Sequence, residues 1–187
     1  MTPRYMTPRY HDTISGSLFS FLSYTFLDMS ISTADLYDEN RDVQVADPIF
    51  RHFGGVRAFG GEVATVHVYE DNVLMRDKLA TPGEDRVLVV DGGGSNWCAL
   101  LGDRMAQRAI DHGWTGVIIH GCVRDSAELP NLEVGVMALG TCPRKSRKNG
   151  VGAVDVPVTL AGCLIEPGMH LYADEDGIIV ANEALLS

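Results

Sequence analysis

Residues Arg86–Asp125 read RVLVVDGGGSNWCALLGDRMAQRAIDHGWTGVIIHGCVRD, and three segments within them decide the fold. Arg86–Val90 and Gly116–His120 are short, nearly continuous apolar runs, the pattern of strands covered on both faces. Between them, Asp103–His112 sets Met105, Ala106, Ala109 and Ile110 at helical spacing, and Gly113 follows as a C′ stop. Strand, helix and strand in that order form a βαβ unit, whose crossover is right-handed by rule.

Working outward, Glu62–Tyr69 alternates as a strand, and Val134–Leu139 is another buried run. Val156–Leu160 and Gly177–Val180 supply late strands, with Asp174–Gly177 read as a hairpin turn rather than the fragment of a calcium loop. Near the start, Ser32 or Thr33 caps a short helix over Ala34–Tyr37 with Asp35 in its first turn. The expected fold class is α/β, a single domain over 32–187 with a mixed sheet or small barrel.

Residues 1–31 differ in character. Met1–Tyr5 (MTPRY) repeats at once as Met6–Tyr10, and Leu18–Leu27 is a short apolar run broken by Asp28. No convincing cleavage site follows, and the run is shorter than the roughly 20 residues of a membrane span. An N-terminal extension or added helix is the expectation, in place of a targeting signal or membrane anchor.

With 187 residues, 45% of them hydrophobic, the chain suits one compact domain. Its net charge of −10 opposes direct binding of nucleic acid and requires any anionic ligand to meet locally focused cations. Cys98, Cys122, Cys142 and Cys163 form no C-x-x-C pair and lie at no zinc-site spacing, as expected of a reduced, cytoplasmic protein.

Two stretches carry the candidate chemistry. Gly102-Asp103-Arg104-Met105 opens the Asp103–His112 helix, where unpaired backbone N–H groups and the positive dipole end suit a carboxylate or phosphate. Gly121–Glu128 (GCVRDSAE) begins where the Gly116–His120 strand ends, at the carboxyl edge of a sheet. There Arg124 offers a planar donor fork and Asp125 a hard oxygen ligand for Mg²⁺ or Mn²⁺. Glu128, a turn away, is positioned to orient Arg124. The glycine cluster Asp91–Ser95 fails the dinucleotide pattern at Trp97 and reads as a tight turn near a neighbouring backbone. Arg144–Lys148 reads as a solvated basic loop, with docking of acidic partners the lesser alternative.

In order along the chain, Thr33–Leu36, Phe53–Gly55, Tyr69–Asn72, Val87–Ser95, Leu101–Asp103, Gly113–Gly116, Gly121–Asp125 and Leu171–Asp174 resemble the regulator-of-ribonuclease-activity A family. That family includes the class II 4-hydroxy-4-methyl-2-oxoglutarate aldolases. The resemblance spans about Ser32 to the C-terminus. It implies a swivelling β/β/α, phosphohistidine-domain-like fold assembled as a ring-shaped homotrimer. It also implies that the amides of Gly102, Asp103, Arg104 and Met105, with Arg124, hold a 2-keto acid. Asp125 would bind the divalent metal, and Asp103 would act through a metal-bound water. Longer aldolases add a C-terminal glutamate from a neighbouring subunit. This sequence ends at Ser187 soon after its last strand, so that glutamate is expected to be missing or replaced.

The expected activity is retro-aldol cleavage of a 4-hydroxy-2-oxo diacid to pyruvate and a second keto acid, with oxaloacetate decarboxylation through the same enolate. The alternative is a non-catalytic regulator that binds an RNA-degrading enzyme by protein contact. A Schiff-base route needs a desolvated lysine, and Lys78, Lys145 and Lys148 all lie outside the apolar strands, which favours a metal route.

Overall fold

The computed structural model describes residues 31–186. Four parallel strands form its centre: β3 (Phe59–Val68), β4 (Val87–Leu101), β5 (Gly116–Val123) and β6 (Gly135–Thr141). Antiparallel strands extend them on both sides. β10 (His170–Ala173), β11 (Ile178–Ala181) and β1 (Gln44–Val45) follow outward from β3, and β2 (Arg51–His52) closes the β6 edge. β7 (Gly152–Val154) also pairs with β3, while β8 (Val158–Leu160) and β9 (Cys163–Ile165) form a separate hairpin. The mixed sheet is the expected one.

Strand side chains alternate between two cores. Val66, Val68, Leu88, Val90, Val117 and Ile119 face α2 (Val73–Lys78) and α3 (Asp103–Asp111), meeting Met75, Leu79, Ala106 and Ala109. Val63, Val87, Val89 and Ile118 face the other way, toward Leu160, Ile165, Leu171 and Ile178. Burial on both faces explains why these strands read as unbroken apolar runs. Cys98, Cys122 and Cys163 are buried free thiols, raised in pKa chiefly by that burial.

The helix termini follow the residues that were read as caps. The Ser32 side chain accepts from Asp35 N, opening α1 (Thr33–Glu39). Gly113, at φ +75°, ends α3 in a Schellman motif, with Trp114 N–H donating to Ala109 O at 2.9 Å and Gly113 N–H to Ile110 O at 3.0 Å. Most of the extension expected over 1–31 lies outside the described residues; Ile31 packs against Leu36, Tyr172 and Ile179. No described helix is long and apolar enough to cross a membrane.

Asp174 holds the β10–β11 turn and α1 together. Its carboxylate accepts from Thr33 N–H at 2.7 Å and Thr33 Oγ1–H at 2.6 Å, and from Asp176 N–H at 2.9 Å. Burial alone would raise its pKa, but these donors outweigh burial and hold the carboxyl below its ordinary value. A carboxyl depressed on folding stabilises the protein above its unfolded pKa, and that contribution disappears as pH falls through the folded value. Asp174→Ala is therefore expected to cost about 2–3 kcal/mol at neutral pH through the donors it strands. The loss should shrink below about pH 4, which paired urea melts of wild type and variant across that range would measure.

Candidate active site

The βαβ unit brings Arg124 and Asp125 to the mouth of α3. Arg124 N–H donates to Leu101 O at 2.9 Å, so the end of β5 is tied beside the end of β4, where Gly102 begins the helix. Asp125 then adopts φ +56°, a left-handed conformation that aspartate tolerates better than most residues. Its Oδ2 lies 3.4 Å from Arg124 Nε and accepts from Asp103 N–H at 3.4 Å. A Cβ at position 102 would collide with that same oxygen and press on Arg124 Cγ and Nε, so only glycine leaves the space. Both side chains are about one-third exposed, which keeps them reachable from solvent.

The first-turn amides are not vacant. Asp103 N–H faces Asp125, Arg104 N–H donates to Asp103 Oδ1 at 2.6 Å, and Met105 N–H bonds Gly102 O at 3.0 Å. Protein carboxylates thus occupy the positive end of the helix where a ligand carboxylate was expected. The expected orienting role of Glu128 is also not seen. Glu128 contributes a backbone N–H to Asp125 O at 2.9 Å, and Arg124 pairs instead with Asp125.

A cavity of about 280 Å³ opens here, lined by Leu101, Gly102, Asp103, Arg104, Met105, Arg124 and Asp125. Its other walls hold the residues that sequence reasoning missed: Asn72, Arg76, Arg108, Lys145, Ser146 and Lys148. The Arg144–Lys148 loop is therefore a pocket wall, not simply a solvated patch. Asp71, 2% exposed, pins it through Asn149 N–H and Gly150 N–H, and Arg147 N–H donates to Glu70 O at 2.7 Å. Six cationic side chains face two carboxylates within the cavity of a protein whose net charge is −10. This is the local focusing that an anionic ligand requires. Lys145 and Lys148 both reach this pocket, so lysines outside the apolar strands are nonetheless brought to the site. The only forewarning in the sequence was the loop's charge.

The glycine cluster serves the sheet. Asp91 stands in register between His67 and His120 on three adjacent strands, accepting from their Nδ1 atoms at 2.9 and 3.4 Å and from Gly93 N–H at 2.9 Å. Burial would raise its pKa, but Gly93 and the two imidazoles outweigh burial and lower it. β4 does not turn away after Asp91, as its glycines suggested. It continues to Leu101 with register shifts between Asp91 and Ser95, Ser95 and Ala99, and Ala99 and Leu101.

Among the described residues no group of three or more histidine, cysteine, aspartate or glutamate side chains could enclose a metal. The donors at the α3 mouth are the carboxylates of Asp103 and Asp125. Such a set fits a hard cation that keeps most of its waters, the habit of Mg²⁺, and does not fit a zinc cage.

Comparison with known proteins agrees on the family, while the activities named for its members differ. The model of the RraA-like (Aldolase/RraA) family matches residues 33–180. A protein of Alkalilimnicola ehrlichii, provisionally named a 4-hydroxy-4-methyl-2-oxoglutarate aldolase, is 54% identical over 84% of this chain and 99% of its own length. A solved Geobacillus kaustophilus structure described as an S-adenosylmethionine:2-dimethylmenaquinone methyltransferase is 54% identical, with TM-score 0.82, over 83% of this chain and 97% of that one. The RNA-processing inhibitor RraA from Thermus thermophilis is 45% identical, with TM-score 0.81, over 83% and 94% respectively.

Proposed function

The chain belongs to the RraA-like family, and from that premise we propose that it is a divalent-metal-dependent carbon–carbon lyase releasing pyruvate from 4-hydroxy-4-methyl-2-oxoglutarate-type substrates. The observation that carries the reading is the convergence of Arg124 and Asp125 on the N-terminus of α3, inside a cationic pocket.

Cleavage of the C3–C4 bond leaves electrons that spread onto the 2-keto oxygen of a pyruvate enolate. Stabilising that oxygen demands donors already aimed where its charge develops. The guanidinium of Arg124 is one such donor, and its fork also suits the adjacent carboxylate. Asp125 would hold the divalent ion, with Asp103 orienting water in its shell. The ion would supply Lewis-acid polarisation of the keto group. A cation held by Asp125 would leave Asp103 N–H and Arg124 Nε free for substrate oxygens. Oxaloacetate decarboxylation draws on the same enolate. The family resemblance further implies a ring-shaped trimer of phosphohistidine-domain-like subunits, which we include in the proposal.

Pyruvate release from 4-hydroxy-4-methyl-2-oxoglutarate should depend on Mg²⁺ or Mn²⁺ and cease with EDTA. Release unaffected by EDTA removes the metal from the account, and no release under either condition removes the enzyme. The second reading, a regulator that binds an RNA-degrading enzyme, draws on the 45% identity to an RNA-processing inhibitor. It predicts slowed RNA cleavage by that enzyme, unaltered by Asp125→Ala. Under either reading a cytoplasmic location is expected.

A further inference from the structure

Lys148 lines the cavity together with Arg124 and Gly102, on a loop clamped by the buried Asp71. Its Nζ donates to Asn72 Oδ1 and, at 3.4 Å, to Ser146 Oγ. Asn72 has no freedom to flip, because its Nδ2 donates to Leu100 O at 2.7 Å and so fixes Oδ1 toward the lysine. Two of the three N–H positions on Nζ are therefore used. The remaining one is an N–H in the ammonium and a lone pair in the amine, so both hydrogen bonds survive deprotonation. Among the described residues Lys148 forms no carboxylate ion pair, whereas Lys78 is paired with Asp155 at 2.8 Å.

Its surroundings, which include the cavity carboxylates of Asp103 and Asp125, make the neutral form easier to reach than in an exposed lysine. Burial lowers its pKa first, followed by the charges of Arg76 on α2, Arg124 at the end of β5 and Lys145 on its own loop. Asp71 before α2 opposes them without cancelling the shift. A retro-aldol cleavage needs such a group, since the C4 hydroxyl must lose its proton as the bond breaks.

Resting on the lyase reading, we propose that Lys148 is the acid–base residue of the aldol step. Its amine takes the C4 hydroxyl proton while the O–H electrons form the new carbonyl of the departing keto acid. The C3–C4 electrons become the enolate double bond, and the 2-keto π electrons move onto the oxygen facing Arg124. The Lys148 ammonium then returns its proton to C3, giving the methyl group of pyruvate and restoring the amine. No other reactant is consumed.

Decarboxylation of oxaloacetate separates this role from a structural one. That reaction releases CO₂ and has no hydroxyl proton to remove, sharing only the reprotonation of C3. In the full-length chain, Lys148→Met should lower kcat for 4-hydroxy-4-methyl-2-oxoglutarate cleavage about a hundredfold. It should lower oxaloacetate decarboxylation by no more than about tenfold, because water can supply the shared proton. Wild-type aldol cleavage should rise with pH as the lysine loses its proton, and this limb should vanish in the variant. Lys148→Arg, which keeps the charge but stays protonated and so offers no free base, should be as defective in cleavage as Lys148→Met. Equal loss of both reactions, an unchanged pH limb, or an active Lys148→Arg overturns the proposal. A wild type that performs neither reaction overturns the lyase reading on which it rests.

Discussion

Arg124→Met is expected to lower kcat/KM for pyruvate release about a thousandfold, the upper range for removal of a single oxyanion donor. The reason lies in placement. Arg124 N–H is bonded to Leu101 O, and its side chain crosses the space that Gly102 leaves open, so the guanidinium is held over the end of α3. Lysine is not an equivalent substitute: a compact ammonium cannot match a keto oxygen and carboxylate with two parallel donors. Arg124→Lys should recover less than about a tenth of the lost rate, since single-point donors forgo the bidentate geometry. Steady-state kinetics on both variants, with folding checked by urea melts, would test this. Full activity in Arg124→Met would remove the guanidinium from the chemistry.

Asp125 is the second position of large effect. Asp125→Asn should reduce pyruvate release by about a hundredfold or more, because a neutral amide is a far poorer ligand for a hard cation. Asn also tolerates the left-handed backbone at φ +56°, so its stability should stay near wild type. Asp125→Ala should lose the same activity and about 1 kcal/mol of stability in addition, from strain at that dihedral. The pair therefore separates lost chemistry from lost backbone fit. Mn²⁺ affinity measured by electron paramagnetic resonance should fall in both variants, and unchanged affinity would move the cation elsewhere.

How much of this was legible in the sequence depended on the range of the forces involved. The parallel centre was readable because strands buried on both faces must be apolar throughout, as Val87–Val90 and Val117–Ile119 are. Gly113 announced the end of α3 because a left-handed C′ residue is a local requirement. The second half of β4 was not readable. Its glycines look like a turn, and only pairing with β5 through three register shifts keeps Ser95–Leu101 in the sheet. The site divided in the same way. Arg124 and Asp125 follow directly from the end of a recognisable strand. Arg76 and Lys148 join them through contacts between distant segments: Asp71 holding Asn149 and Gly150, and Asn72 holding Lys148. Such long-range clamps leave no periodicity to read. The amides at the mouth of α3 were expected to be vacant, and the structure instead places Asp103 and Asp125 against them.

The most direct measurement is a crystal structure of the protein with Mn²⁺ and pyruvate, using anomalous scattering to locate the ion. An anomalous peak is expected within coordinating reach of an Asp125 carboxylate oxygen, with the ligand carboxylate at the N-terminus of α3 and the Arg124 guanidinium on its keto oxygen. Manganese bound away from Asp125, or pyruvate seated outside the pocket with Arg124 turned to solvent, would contradict it.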